Sequence, residues 1–537
     1  MQPSSRAAAV AYAADFDAAL TASSFAAAPQ HGGCPIVPES QTPRCATFFS
    51  KLPTFTATLT QNRESPTYNM ASRVAVLAAF ASSAAAHWST RCTANNGCVG
   101  ADPAWVAKFS TPLDAAGPEQ IWLNLGATPD VMVVGWITAD KTAPSTVQYG
   151  TTSGAYTQTA NGTSAFYKYS AFYTSGLIHH VPLTGLAPST VYYYKAAGAA
   201  TEYNFTSGAA VGHAFPYTIG TFADIGESLN ADNTVLHMLA GSANIDSYIL
   251  NGDISYATGC EKEGCGTWDS FQRMMQPLAA IKPIAIELGN VRRQGLGPAR
   301  PRARARALTA RTSARPHHPP PTFPTQHELA DDANGIPGIS ARYRFAGMPT
   351  GGRADQTMYF SYEVGPVHVI SLAAFYPGGF APSSPLTTWL AADLLTIDRS
   401  RTPWVIVSTH APWYNSNKAH QGDGEKMRAA LEPMLLAAHV NIILTGHVHA
   451  YERSLPIADN VVQPAGEGIV HFNIGDAGAS LYTSWLATPA WSAFHSAVYG
   501  HGELTLVNET HAHWTWHRNQ DDEKVIMDET YVINTHF

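Results

Sequence analysis

The sequence predicts a two-domain chain of the α+β or α/β class, a β-sandwich followed by an α/β domain built on two sheets. Three observations carry this. With 537 residues the chain exceeds one ordinary hydrophobic core. Residues from about 118 to 210 alternate like short strands separated by turn signals. From about Phe215 the texture changes, and short apolar runs end in Asp, Asn or His with helical stretches after them.

Composition narrows the class further. Hydrophobic residues make up 45% and charged residues 13%, which suits a globular fold, and the formal net charge is −8. That charge argues against nucleic acid as the main partner, because a phosphate backbone calls for a basic surface.

Residues 1–69 show no sustained periodicity and read as a disordered or spurious extension. Met70-Ala-Ser-Arg-Val-Ala-Val-Leu-Ala-Ala-Phe-Ala-Ser-Ser-Ala-Ala-Ala86 has the form of a signal peptide. Arg73 is its positive region, Val74 to Ala81 its apolar stretch, and Ala84 and Ala86 its small-residue cleavage site. The apolar run is too short to span a bilayer; an Ala-rich core helix is the bland alternative. The expectation is a secreted, extracellular or vacuolar protein with a linker over 87–117. Cys92 with Cys98, and Cys260 with Cys265, are close pairs without zinc-type CxxC spacing and read as short-range disulfides of an oxidising compartment. Three glycosylation sequons, at Asn161, Asn204 and Asn508, accord with secretion.

In the first domain, Val131-Met-Val-Val-Gly-Trp-Ile-Thr138 is an apolar strand. Leu183-Thr-Gly-Leu-Ala-Pro-Ser-Thr-Val-Tyr-Tyr-Tyr194 is a turn followed by a strand. The Leu-x-Pro-x-Thr-x-Tyr-x-Tyr pattern resembles a fibronectin type III sandwich, in which a Tyr near the turn locks the strand. The neighbouring His179 and His180 read as structural.

The second domain, residues 211–537, carries the chemistry. Four apolar runs end in metal-ligand residue types: Pro216 to Asp224, Tyr248 to Asp253 with Tyr256 three residues on, Trp404 to His410, and Asn441 to His447 and His449. In α/β sheets ligands gather beyond the carboxyl ends of strands. A two-metal phosphate site needs a carboxylate to bridge, hard oxygen donors for a trivalent ion, and imidazoles for a divalent one. Asp253 is placed to bridge, Asp224, Tyr256 and His449 to complete one site, and His410 and His447 to serve the other. Each motif alone is weak, but four in this order are strong.

The ordered set Asp-x-Gly, Gly-Asp-x-x-Tyr, Gly-Asn-His-Glu, Val-x-x-His and Gly-His-x-His resembles that of the plant-type, high-molecular-weight purple acid phosphatases. His410-Ala-Pro-Trp-Tyr-Asn415, Gly446-His-Val-His-Ala-Tyr-Glu-Arg453 and Gly500-His-Gly-Glu-Leu504 are similar to that family's wording almost residue for residue. The resemblance covers roughly residues 118–520. It implies iron(III) on Asp224, Asp253, Tyr256 and His449, and zinc, manganese or iron(II) on Asp253, Asn290, His410 and His447. It also implies a metallophosphoesterase that hydrolyses small phosphomonoesters by attack of a metal-bound hydroxide, with His327 and His420 steadying the phosphate or protonating the leaving alkoxide.

The chain departs from the family in four places. Ala223 stands where Gly often precedes the first Asp, and Ala419 replaces a second His beside His420. Asp476 in Ile474-Gly-Asp-Ala-Gly478 mimics a ligand motif but reads as a turn. Most prominent is residues 291–326, which carry eight Arg, seven Pro and no acid, and part Gly289-Asn290 from His327-Glu328. Excising them restores Gly-Asn-His-Glu and moves the formal charge from −8 to −16 (−8 less eight Arg). Such a composition cannot bury a core. An intron opens with GT, the start of a Val codon, and closes with CAG, a Gln codon; Val291 and Gln326 fit both edges. A retained intron is therefore favoured over a real basic loop.

Other functions stay open at this stage: a phosphodiesterase or nucleotide pyrophosphatase on the same scaffold, or an inactive secreted binding protein if the insertion is real. Monomer and homodimer both stay open.

Overall fold

The computed structural model describes residues 108–109, 111–112, 117–169, 173–257, 266–289, 339–348, 359–519 and 525–537. Several expectations lie outside these residues: the signal peptide, the insertion, Asn290 and His327. So do both expected disulfides, that of Cys92 with Cys98 and that of Cys260 with Cys265. Among the described residues no helix is long and apolar enough to cross a membrane.

Eight strands form the first domain: β1 (Glu119–Leu125), β2 (Met132–Thr138), β3 (Thr146–Gly150), β4 (Gln158–Asn161), β5 (Thr163–Ala165), β6 (Leu177–Leu183), β7 (Val191–Ala196) and β8 (Tyr203–Thr206). They pair antiparallel into two sheets, β1-β2-β6-β5 and β4-β3-β7-β8. In β7 burial alternates residue by residue, as a strand with one wet face requires. The expected tyrosine lock is present: Ala187 N–H donates to the Tyr192 hydroxyl at 3.0 Å. His179 stacks on Trp136 at 4.6 Å and lies between the Thr138 and Ser145 hydroxyls, and His180 Nε2 donates to the Tyr343 carbonyl at 2.8 Å. Both histidines are thus held by packing and hydrogen bonds, with His180 Nδ1 buried and unpartnered.

The second domain packs two mixed sheets. One has the order β11-β10-β9-β21-β22-β23, with β9 (Tyr217–Phe222), β10 (Ser247–Asn251) and β11 (Ile284–Glu287) parallel, and β21 (Gly500–Leu506), β22 (His511–Arg518) and β23 (Val525–Ile533) antiparallel. The other has the order β12-β13-β14-β15-β19-β16-β20. Its centre is parallel: β13 (Val367–Leu372), β14 (Trp404–Thr409), β15 (Ile442–Thr445) and β19 (Val470–Ile474). Antiparallel β12 (Tyr359–Val364), β16 (Tyr451–Ser454) and β20 (Ser492–Ser496) flank it, and β17 (Ile457–Ala458) and β18 (Val461–Val462) make a separate ribbon. Trp404-Val-Ile-Val-Ser-Thr409 is buried at every position, as a central parallel strand covered on both faces must be.

Helices α1 (Leu229–Gly241), α2 (Thr267–Ala279), α3 (Ile339–Arg344), α4 (Pro385–Leu394) and α5 (Glu425–Ala437) occupy the connections. Ser228 caps α1 by accepting from Ala231 N–H, and its hydroxyl donates to the Gly478 carbonyl, fixing the helix against the loop after β19.

The two domains share buried polar contacts. Arg273 of α2 pairs with Glu119 of β1 at 2.7 Å, and the Tyr194 hydroxyl donates to the Ala280 carbonyl at 2.7 Å. Arg344 of α3 reaches Gln120, Tyr167 and Tyr173 of the sandwich together with Asp269 and Gln272 of α2.

Candidate metal centre

The two sheets meet at the carboxyl ends of their parallel strands. Asn251, the last residue of β10, donates from Nδ2 to the Ser408 hydroxyl (2.7 Å) and the Leu444 carbonyl (3.1 Å) of the opposite sheet. Its own carbonyl accepts from His410 Nδ1 at 2.8 Å. Just beyond these ends stand Asp224 after β9, Asp253 and Tyr256 after β10, His410 after β14, and His447 and His449 after β15.

The backbone is forced to bring them there. Among the described residues ten non-glycine positions have positive φ, and Asp224, Asp253, Tyr256, His420 and His447 are half of them. L-residues adopt this region at a cost that the surrounding structure must offset, and such positions gather at functional sites. Glycines clear the space between. A Cβ on Gly252 would lie 2.6 Å from both Gly289 Cα and His410 Nδ1, and one on Gly475 would lie 2.8 Å from Asp224 Oδ2. The Ala223 methyl is accommodated because Gly446, whose Cβ would come within 2.5 Å of it, has none.

Three imidazoles are each locked by a hydrogen bond at one ring nitrogen. His410 Nδ1 donates to the Asn251 carbonyl, and His449 Nδ1 donates to the Ser480 carbonyl at 2.8 Å. His447 Nε2 donates to Asp423 Oδ2 at 3.0 Å. Each therefore offers its other nitrogen as a lone pair. His410 Nε2 lies 3.2 Å from Asp253 Oδ1 and is buried with no hydrogen-bond partner; His447 Nδ1 is equally buried and unpartnered. His449 Nε2 is 3.4 Å from Asp224 Oδ1 and 3.0 Å from the Tyr256 hydroxyl, which is itself 3.1 Å from Asp224 Oδ1.

Lone pairs aimed at buried carboxylates repel unless a cation lies between. Burial opposes the charged form of His410, but Asp253 and Asp224 outweigh it and hold its pKa well above the ordinary value. For His449 too, Asp224 outweighs burial. The field that would hold a proton there suits a metal ion equally. Two donor sets emerge, Asp253–His410–His447 and Asp224–Asp253–His449, each with its donor atoms within 4.8 Å of one another, and they share Asp253. The residues fit two cations bridged by one carboxylate.

Around this core lie groups that the motifs did not single out. Asp423 Oδ2 accepts from both His420 Nδ1 (3.1 Å) and His447 Nε2 (3.0 Å), and these hydrogen bonds hold its carboxyl below the usual range. The Tyr482 hydroxyl is 3.3 Å from His420 Nε2, and its ring stacks on His449 at 4.4 Å. Glu287 is fully buried with neither carboxylate oxygen hydrogen-bonded; burial pushes its pKa well above the usual value, His410 opposes this, and Asp253 and Asp224 add to it. Asp476 is no surface turn. It is buried just past β19 and accepts from Trp516 Nε1 at 2.9 Å, and burial pushes its carboxyl up to about 8. It neighbours the site, with no place in either donor set.

Comparison with known proteins agrees with this geometry. Residues 118–207 match a model described as the purple acid phosphatase N-terminal domain. Residues 217–451 match the calcineurin-like phosphoesterase model, and 468–529 an iron/zinc purple acid phosphatase-like C-terminal model. Purple acid phosphatase 18 of Arabidopsis thaliana is 36% identical over 420 residues, covering 77% of this chain and 84% of the relative. This chain belongs to the purple acid phosphatase family. Purple acid phosphatase 22 of the same plant is 34% identical over 77% of the chain and 85% of the relative. In fold, a purple acid phosphatase from yellow lupin (Lupinus luteus) seeds superposes with a TM-score of 0.65 at 21% identity, over 79% of this chain and 75% of that one. The protein is a binuclear metallophosphoesterase, an acid phosphatase acting on phosphomonoesters.

Proposed function

We propose that Asp224, Asp253, Tyr256 and His449 hold iron(III), and that Asp253, Asn290, His410 and His447 hold a divalent zinc, manganese or iron(II). The observation that carries this is the sharing of Asp253 between the two donor sets, with a phenol on one of them only. Gly289, the last described residue before Asn290, lies against Gly252 beside His410, which supports Asn290 as a donor on the divalent side. When bound, the two cations neutralise phosphate charge and acidify a water for in-line attack on phosphorus.

The protein's own groups do the rest. His420, with Nδ1 held by Asp423, steadies the phosphate or gives a proton to the leaving oxygen, and His327 shares that role. Phe375 packs its ring 5.2 Å from that of His447 and walls off the divalent side.

A phenolate on iron(III) absorbs visible light. Purified protein is expected to carry one iron and one divalent ion per chain and a broad visible band, and Tyr256→Phe is expected to bleach the band. Elemental analysis finding two zincs and no iron, without a band, would sink the assignment.

The same reading extends along the chain. A signal at Met70–Ala86 would direct secretion, with a mature chain from His87, a sandwich over 118–210 and a catalytic domain over 211–537. An oxidising compartment would close two short disulfides, Cys92 to Cys98 and Cys260 to Cys265. Assembly, where it occurs, would be as a homodimer. Of the sequons, Asn161 is exposed at the end of β4, which suits a glycan; Asn204 and Asn508 are half-buried.

For residues 291–326 we favour a retained intron. Joining Asn290 directly to His327 is expected to raise turnover at least about tenfold, roughly 1.4 kcal/mol in barrier, because positioning carries much of the rate in such sites. Expression of both forms side by side decides it; equal activity and equal metal content would make the segment a tolerated loop.

A further inference from the structure

Tyr482 follows Gly475-Asp-Ala-Gly-Ala-Ser-Leu and belongs to no ligand motif. Yet its surroundings place it with unusual definition. The loop that carries it is sewn to the first donor set: Tyr482 N–H donates to the His449 carbonyl at 2.8 Å, and the Ser480 carbonyl accepts from His449 Nδ1. It is also sewn to the loop that carries His420. Asn417 Nδ2 donates to the Tyr482 carbonyl at 2.7 Å, Lys418 N–H to the Ser484 carbonyl at 2.8 Å, and Leu486 N–H to the Ser416 carbonyl at 2.8 Å.

The side chain spans the same two parties. Its ring lies flat on His449 (4.4 Å, 13° between planes), a member of the first donor set. Its hydroxyl meets Nε2 of His420, whose ring lies 3.9 Å from that of His447, a member of the second. One hydroxyl therefore stands over the ground shared by the two sets. A tetrahedral phosphate spanning them keeps oxygens that the cations do not neutralise, and an O–H donor to such an oxygen makes a charge-assisted bond.

We infer that Tyr482 is a phosphate-binding residue of this enzyme, its hydroxyl donating to a non-bridging oxygen of substrate and product beside His420. The inference rests on the phosphatase reading above. Without phosphate the hydroxyl is held at His420 Nε2; because Asp423 holds Nδ1, the imidazole keeps its place when the hydroxyl turns to the ligand.

The test is calorimetric titration of the metal-loaded full chain with inorganic phosphate, comparing the parent with Tyr482→Phe, which keeps the ring stack. About tenfold weaker phosphate binding is expected, the size of one lost hydrogen bond to a charged ligand, with metal content and visible band unchanged. KM for an aryl monophosphate should rise in step. Phosphate affinity within twofold of the parent overturns the inference, as does loss of metal in Tyr482→Phe, which would tie the hydroxyl to holding the metal site rather than to phosphate. A second variant, Tyr482→Leu, should weaken phosphate no less than Phe does; binding restored in Leu would also overturn it. If the parent binds phosphate but cleaves no monoester, the phosphatase reading fails while the titration still decides the role of Tyr482.

Discussion

Asp253→Asn is expected to lower kcat/KM for phosphomonoesters at least about a thousandfold, roughly 4 kcal/mol of transition-state stabilisation. The side chain keeps its shape, and Asn tolerates the φ of 46° at this position, so the backbone has no reason to move. What is lost is the charge common to both donor sets. His410 Nε2, 3.2 Å away, then faces a neutral amide in a fully buried site. Asp253 belongs to both donor sets, so on the proposed metal assignment metal analysis should show the divalent ion depleted and the visible band shifted. A variant within about tenfold of the parent with both metals in place would exclude the bridging role.

Arg344→Ala is expected to cost about 3–5 kcal/mol of stability, because removing one partner of a buried ion pair strands the other. The guanidinium is fully buried and touches two tyrosines, two glutamines and Asp269 across the domain junction. Burial works against the Asp269 carboxylate, yet Arg344 outweighs it and holds the pKa below the usual range. A carboxyl depressed in the folded state adds stability above its unfolded pKa and loses it as pH falls through the folded one. The deficit of Arg344→Ala relative to the parent should thus be largest near neutrality and shrink on acidification. Thermal melts at pH 7 and pH 3 measure both effects; equal melting points at pH 7 would show the network to be dispensable.

The six described candidate ligand positions were legible because each sits a residue or a few past a buried strand, where an apolar run must stop and a polar residue stands out. Asp423 and Tyr482 were not legible for the converse reason. Each is one polar residue in a loop: Asp423 meets His420 three residues along its own loop, and the stitching of 416–418 to 482–486 brings Tyr482 to it. Asp476 carries the same local signal as Asp253, Gly-Asp after a strand, and its reading as a turn missed its burial. What separates them is burial against Trp516 from a strand distant in sequence. Sheet order was beyond reach as well. Nothing local tells that β21, near the C-terminus, inserts beside β9 and lays Gly502 opposite Thr221, three residues before Asp224.

The left-handed backbone at Asp224, Asp253, Tyr256 and His447 sets the terms on which this protein can drift. Chance substitutions there face two filters with different preferences. The backbone admits Gly and Asn most readily at such φ values, while the chemistry needs a formal charge, a phenol or an imidazole lone pair. The replacements that disturb the fold least are then among those that silence the site. A lineage released from selection for catalysis would be expected to keep its architecture long after its acids had become amides, so intact folding in a relative of this chain says little about whether it still turns over.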